Sequence, residues 1–457
     1  MKRVYFLLLS FSFVIQSNAQ TSDSVFIRGI ANEILTNSKA YENLRVLTKQ
    51  IGGRLAGSPG MVKSEKWGLQ AMKDAGADAA FMQECMVPHW VRGGKDVAWA
   101  EVTTKNKVAR KTLDIVALGN SAGSMKALKA PVIEINNFDE LESKKDQVKG
   151  KIVFYNYKFN PTFVRTFQAY SDAVRYRGQG PSRAAKYGAV GVIVRSMSHS
   201  TDNNPHTGGT NYNDSFAKVP AVAIGLQDAD WLSNQLASTS LNVSLHTHGK
   251  FLPDTIGHNI IGELKGTEFP NEFITVGGHL DSWDNCEGAH DDGAGCVQTI
   301  EILRAFKAIG YKPKRTIRFV LFANEENGLR GGNKYADEAK AKGEKHIFAL
   351  ESDAGGFTPR GFGFSTTPEK YNKILQWQNL IAPYGASEFL PNGGGADIGP
   401  LSRTQQTPVA GLVPDSQRYF DVHHARNDTF EAVNKRELEL GAVNMAALIY
   451  LVDKYGL

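Results

Sequence analysis

Between residues 271 and 356 three short apolar runs alternate with two helical periods. NEFITVGGHL (271–280), TIRFVLFA (316–323) and HIFALESDAGG (346–356) read as strands. GAGCVQTIEILRAFKAIG (293–310) and LRGGNKYADEAKAKG (329–343) read as helices, the first with Val297, Ile300, Leu303 and Phe306 near one face. Such alternation predicts an α/β fold: a mainly parallel-containing mixed sheet flanked by helices. It also says where to look for function, because in these sheets ligands lie beyond the carboxyl ends of the strands.

Those ends are where the acids and histidines collect. The first run closes on His279 and Asp281 and reaches Asp291; the second closes on Glu325 and Glu326; the third on Glu351 and Asp353. Far downstream, RYFDVHHARNDTFE adds His423 and His424. One such cluster is usually a helix cap or a turn, but four that can meet at one sheet edge are not. Converging carboxylates raise one another's pKa values, and one or two divalent cations remove that cost. Mixed imidazole and carboxylate donors suit zinc, whereas oxygen alone would favour magnesium or calcium. Two metals about 3.5–4 Å apart can share a bridging carboxylate and a water. One bridging acid, with a histidine and an acid for each metal, makes five protein ligands.

The rest of the chain sets limits. The first twenty residues, with MKR, an apolar VYFLLLSFSFVI and then QSNAQ, read as a signal peptide (1–19), too short to span a bilayer comfortably. The chain is therefore expected to be exported: periplasmic, secreted, or lysosomal in a eukaryote. A net charge of +5, lower still once Lys2 and Arg3 leave, argues against nucleic acid and anionic membrane as partners. Three cysteines are too few and too odd in number to form a disulfide framework. A Cys286–Cys296 pair and two free thiols both remain open. From about residue 114 to 244, β-branched runs such as KIVFYNY and AVGVIVRS, with one or two short helices (RAAKYGA, DADWLSNQL), read as a compact β-rich unit inserted before the main chemistry. Its polar loop SHSTDNNPHTGGTNYND is long enough to be either functional or loose.

Taken in order, HLDSW, GAHDDGAG, ANEENGLRGG, ESDAGG and HHARNDT resemble the co-catalytic di-zinc exopeptidases, and GGRLAGSPG and PHTGG are similar to that family's carboxypeptidase Q branch. The resemblance covers nearly the whole chain. It implies the zinc exopeptidase fold at 20–115 and 250–457, with a protease-associated domain inserted at 116–249, and two zinc ions per chain. It also implies roles. His279 and Asp353 hold one zinc, Glu326 and His424 the other, and Asp291 bridges them, with a cis bond to Asp292. Glu325 is the general base, and Asp281 orients His279 from behind. His423, Tyr419, Asp397 and His206 are candidates for contact with substrate or oxyanion. The implied substrates are unblocked dipeptides or short peptides, with aminopeptidase action on longer peptides as the alternative, and a homodimer is compatible with the family. Neighbours at a strand end point in different directions, so one glutamate of the Glu325–Glu326 pair can bind metal while the other faces the water.

The other acids of the first cluster, Asp284 and Glu287, read as rim residues, Asp292 as structural, His290 as a packing group and Glu351 as support behind the ligands. Three rival readings differ in testable ways. A glutaminyl-cyclase-like acyl transferase would use one zinc, a receptor-like relative would lack ligands, and a two-metal phosphatase would cleave phosphoesters rather than peptides.

Overall fold

The computed structural model describes residues 22–104, 107–124 and 126–457. The expected signal peptide lies outside them. Among the described residues no helix is long and apolar enough to cross a membrane.

Two eight-stranded sheets organise the chain. The first runs, in spatial order, Ala79–Val91, Lys250–Leu264, Arg315–Phe322, Phe269–His279, Lys345–Glu351, Val409–Pro414, Pro359–Ser365 and Glu388–Leu390. Its centre is parallel, as the alternation predicts: Phe269–His279 pairs in parallel with both Arg315–Phe322 and Lys345–Glu351, which in turn pairs in parallel with Val409–Pro414. Antiparallel pairs flank this centre. The period of two explains why the central strands are apolar throughout: Ile317, Phe319 and Leu321 face one core, while Val320 and Phe322 face another on the opposite side.

Helices cover both faces. Ala294–Ala308 and the C-terminal Lys435–Tyr455 pack together on one side. They share that core with the helix at 22–37, whose Ile27, Ile30 and Ile34 are fully buried as their spacing predicts. Arg330–Ala341 and Gly399–Gln405 pack on the other side. The break at GGRLAGSPG is a loop that ends where the Ser58 hydroxyl accepts from Met61 N–H and Pro59 starts the next helix.

The second sheet runs Lys107–Leu113, Val97–Thr104, Asn242–His246, Leu128–Ile135, Ile152–Tyr155, Gly191–Arg195, Ala221–Ile224 and Ile115–Ala117. It hangs between two long antiparallel strands of the first sheet, Ala79–Val91 and Lys250–Leu264. Its strands start at Val97, earlier than the sequence suggested. The inward positions there are Ala98 and Ala100, too small to give the alternation much apolar weight. A helix at Thr166–Gly178, not expected from the sequence, joins the two short ones at Gly180–Lys186 and Leu226–Leu236.

Candidate metal centre

The carboxyl ends of the parallel strands bring the expected residues together. His279 is the last residue of its strand, Glu325 and Glu326 follow Phe322 closely, and Asp353 follows Glu351. His424 arrives from the turn after the Tyr419–Val422 helix, in a left-handed conformation (φ 61°). Asp291 lies at the centre: one oxygen, Oδ1, is 3.2 Å from His279 Nε2, and the other, Oδ2, is 3.2 Å from His424 Nε2. Asp353 Oδ1 is 3.4 Å from His279 Nε2, and Glu326 Oε2 is 3.1 Å from His424 Nε2. The bond between Asp291 and Asp292 is cis, as the resemblance implies.

The electrostatics are those of a site built for cations. Asp291 Oδ2 and Glu326 Oε1 are buried without a hydrogen-bond partner among the described residues. Burial pushes Glu326 up to about 7, with the Asp291 charge adding to it. Burial opposes a charged His424, yet Glu326 and Asp291 hold its pKa up at about 10. Asp291 is held well below the carboxylate range, against its burial, by the hydrogen bond from His279 and the close approach of the His424 ring. The crowded acids thus favour positive charge at both imidazoles, a charge that bound cations would supply instead. Two imidazoles and three carboxylates, with ligand atoms of His279, Asp291 and Glu326 all within 4.8 Å of one another, are a donor set that fits zinc.

Asp281 differs from expectation. His279 Nδ1 donates to the backbone carbonyl of Asp281 at 3.0 Å, and the nearest carboxylate oxygen is 3.7 Å away. The carboxylate instead accepts the backbone N–H groups of Glu325 (3.0 Å) and Glu326 (3.3 Å). It is fully buried and is satisfied by those two backbone donors, so it fixes the glutamate pair while its carbonyl orients the histidine.

The remaining expectations divide. Asp292 accepts from His279 N–H and Gly295 N–H, both at 3.0 Å, and is structural. His290 stacks on Phe357 and accepts from Gly356 N–H. Asp284 and Glu287 pair with Arg92 and Lys49 at the rim. Cys286 and Cys296 are both free thiols. His423 and Tyr419 line a cavity of about 500 Å³ over the centre, together with Glu325, Asp291 and Asp353. Two candidates do not line it. Asp397 lies beneath, where its loop delivers backbone N–H groups of Ile398 and Asp397 to Glu351 at 2.9 and 3.4 Å. A side chain at Gly395 would strike the Glu351 carboxyl, so that loop has to pass close. His206 is buried behind His423, both ring nitrogens unpartnered among the described residues, its pKa lowered by burial to about 4.

Two residues of the site escape the ligand pattern. Arg54, fully buried, donates to the carbonyls of Leu280, Glu287 and Gly288 and so ties GGRLAGSPG to the loop between His279 and Asp291. Asp428, also fully buried, accepts from His290 N–H (2.8 Å) and Asp291 N–H (3.1 Å). Its signal was present in HHARNDT, but no strand end marks it. Partners that orient a ligand typically affect metal affinity about 10–100-fold. Asp428→Ala is expected to weaken zinc binding by that amount in a competition titration against a chromophoric chelator, and unchanged affinity would show that Asp291 is held by other means.

Residues 259–449 match peptidase family M28, a span that contains all five candidate ligands. Carboxypeptidase Q of Mus musculus is 32% identical over 418 residues, covering 91% of this chain and 86% of its own; that of Homo sapiens is 33% identical over 419 residues, covering 91% and 85%. The chain belongs to peptidase family M28. As an M28 peptidase it is a zinc-dependent exopeptidase. The crystal structure of a peptidase M28 precursor from Shewanella amazonensis SB2B is similar to this M28 chain throughout, with a TM-score of 0.90 at 29% identity over 96% of this chain and 98% of that one. A zinc aminopeptidase from Bacillus subtilis shares the fold at a TM-score of 0.66 and 22% identity, over 90% and 94%.

Proposed function

We propose that this M28 peptidase is an exported two-zinc hydrolase of unblocked dipeptides and short peptides. The reading rests on Asp291, whose two oxygens each face a different histidine at 3.2 Å, the geometry a bridging ligand needs. His279 and Asp353 complete one side, and Glu326 and His424 the other. When bound, the zinc ions supply Lewis acidity to a shared water and to the scissile carbonyl. Glu325, its backbone fixed by Asp281, takes the proton of the attacking water on its carboxylate and passes it to the leaving amine. His423 Nε2, 3.6 Å from Asp291 Oδ2, and Tyr419 are the neutral donors that can meet the developing oxyanion.

Arg177 supports a free carboxyl terminus. It is 8% exposed and lines the same cavity. Nη2 donates to the Tyr170 hydroxyl at 2.6 Å and Nη1 to Thr207 O at 3.3 Å, but among the described residues Nε has no partner and no carboxylate lies within 4.0 Å of the group. A buried guanidinium without an acid is a place for an anion. Nη1 lies 3.3 Å from His424 Nδ1, so the guanidinium stands across the His424 ring from Asp291. The PHTGG stretch makes this possible, since a side chain at Gly208 would come 2.3 Å from the Arg177 Cζ. In this reading the second sheet with its helices is the protease-associated insert, and it supplies the pocket wall opposite the metals.

Dipeptides that are free, N-blocked or C-blocked, assayed with zinc and after chelation, test the proposal. Loss of hydrolysis with either block is expected. Loss with the N-block alone would assign aminopeptidase action instead, and cleavage of phosphoesters in place of peptides would overturn the reading.

A further inference from the structure

The two histidines of the centre are held by the same device, supplied from different places. In each, Nε2 faces the acids and Nδ1 faces a backbone carbonyl. For His279 that carbonyl belongs to Asp281, two residues on in the same loop. For His424 it belongs to Thr207, 3.2 Å away and 217 residues earlier in the chain. Thr207 lies in the PHTGG stretch and is fully buried. The contact is reciprocal, because Thr207 N–H donates to His424 O at 3.0 Å. One zinc ligand is thus backed by the catalytic part itself and the other by the second unit.

The loop that carries Thr207 is anchored on its far side. Thr207 Oγ1 donates to Ala117 O at 2.8 Å, Gly119 N–H to Gly208 O at 3.0 Å and Thr210 N–H to Gly119 O at 2.9 Å. The strand Ile115–Ala117 and the residues after it therefore set where the Thr207 carbonyl points. That direction decides a tautomer. Arg177 Nη1 stands 3.3 Å from both Thr207 O and His424 Nδ1. A guanidinium only donates, so Thr207 O is the acceptor that both donors share. With the carbonyl in place, Nδ1 keeps its hydrogen and Nε2 keeps the lone pair that a metal takes. With the carbonyl withdrawn, the guanidinium is left facing Nδ1, which favours hydrogen on Nε2 and blocks the metal-binding nitrogen.

We propose that Thr207 is a positioning residue: its carbonyl fixes His424, so the second unit completes the Glu326–His424 zinc position, whereas the His279–Asp353 position is complete within the catalytic part. Resting on the two-zinc reading above, this makes the two positions unequal in what they need. Partners that orient a ligand in this way are worth about 10–100-fold in metal affinity.

Two substitutions in the full chain move the carbonyl by different routes. Thr207→Val keeps the shape of the side chain and removes its bond to Ala117 O, which Arg92 Nη1 still satisfies at 2.7 Å. Gly208→Ala places a Cβ 2.3 Å from the Arg177 Cζ at a φ of 130°, and so displaces the same peptide. Zinc is titrated into each metal-free protein against a chromophoric chelator, with no substrate present. The unmodified protein is expected to take two ions. In either variant one ion is expected to weaken by about 10–100-fold and the other to bind as before. Thr207→Ser, which keeps the hydroxyl, is expected to restore the lost affinity. Anomalous scattering from crystals of Thr207→Val grown at limiting zinc locates the ion that survives, expected at His279 and Asp353. Unchanged affinity in both variants, equal weakening of the two ions, or a surviving ion at Glu326 and His424 overturns the proposal. A single ion in the unmodified protein overturns the two-zinc reading instead, and Thr207 then keeps its role only if Thr207→Val weakens that ion.

Discussion

Glu325→Gln is expected to bind zinc as the unmodified protein does and to lose peptide hydrolysis by about 1,000-fold or more. The substitution keeps the shape of the side chain and leaves His279, Asp291, Asp353, Glu326 and His424 untouched. It removes only the ability to accept a proton. General-base transfer is worth about 100–10,000-fold, and a thousandfold loss corresponds to about 4 kcal/mol of barrier. Glu325 is suited to the task. Burial raises its pKa well above the ordinary glutamate value, and the neighbouring Asp353 and Glu326 charges raise it further. Its backbone N–H is fixed by Asp281, so the carboxylate is free to face the cavity. The check pairs metal analysis with single-turnover kinetics on one dipeptide. Full activity in a zinc-replete variant would remove Glu325 from the mechanism, and lost zinc would make it a ligand instead.

Asp291→Ala has the other large effect: zinc is expected to fall well below the unmodified content at both positions, and hydrolysis below detection. Each remaining half-site keeps one histidine and one acid, fewer than the three protein ligands of an ordinary catalytic zinc. Stability should follow occupancy, because a ligand present at 1,000 times its Kd contributes about 4 kcal/mol to the folded state. Thermal unfolding of Asp291→Ala is thus expected to be insensitive to added zinc, whereas the unmodified protein gains stability with it. A variant that still binds two zinc ions per chain by elemental analysis would show that Asp291 does not bridge.

The centre of this fold was legible because its strands are buried on both faces and end in chemistry. TIRFVLFA can be little else than an interior strand, and the acids after it have no packing role to compete with. His424 follows a helix and not a strand, and it is the resemblance carried by HHARNDT that singles it out. Legibility failed where a residue acts through the backbone. Asp428 and Arg54 bind carbonyl and N–H groups of the loop around Asp291, contacts that depend on tertiary approach and leave no spacing in the sequence. Asp281 does meet His279 as expected, but through its backbone carbonyl, because two backbone donors from a separate strand end take its carboxylate. The Thr166–Gly178 helix was missed because its apolar residues are divided between the core and the cavity, which blurs a single stripe. Asp397 misled for the opposite reason: a polar residue in a glycine-rich loop suggests a pocket, and here the glycines let the loop press against Glu351.

The pair of long strands that carries the second sheet also orders events on the ribosome. Ala79–Val91 stands at the edge of its sheet and pairs only with Lys250–Leu264. Every strand of the second sheet lies between those two in the sequence. As the chain emerges from its amino end, the second sheet is therefore complete in sequence while the catalytic sheet still has a single strand. The pocket wall with Arg177 is available to fold before any of the five candidate zinc ligands has been synthesised.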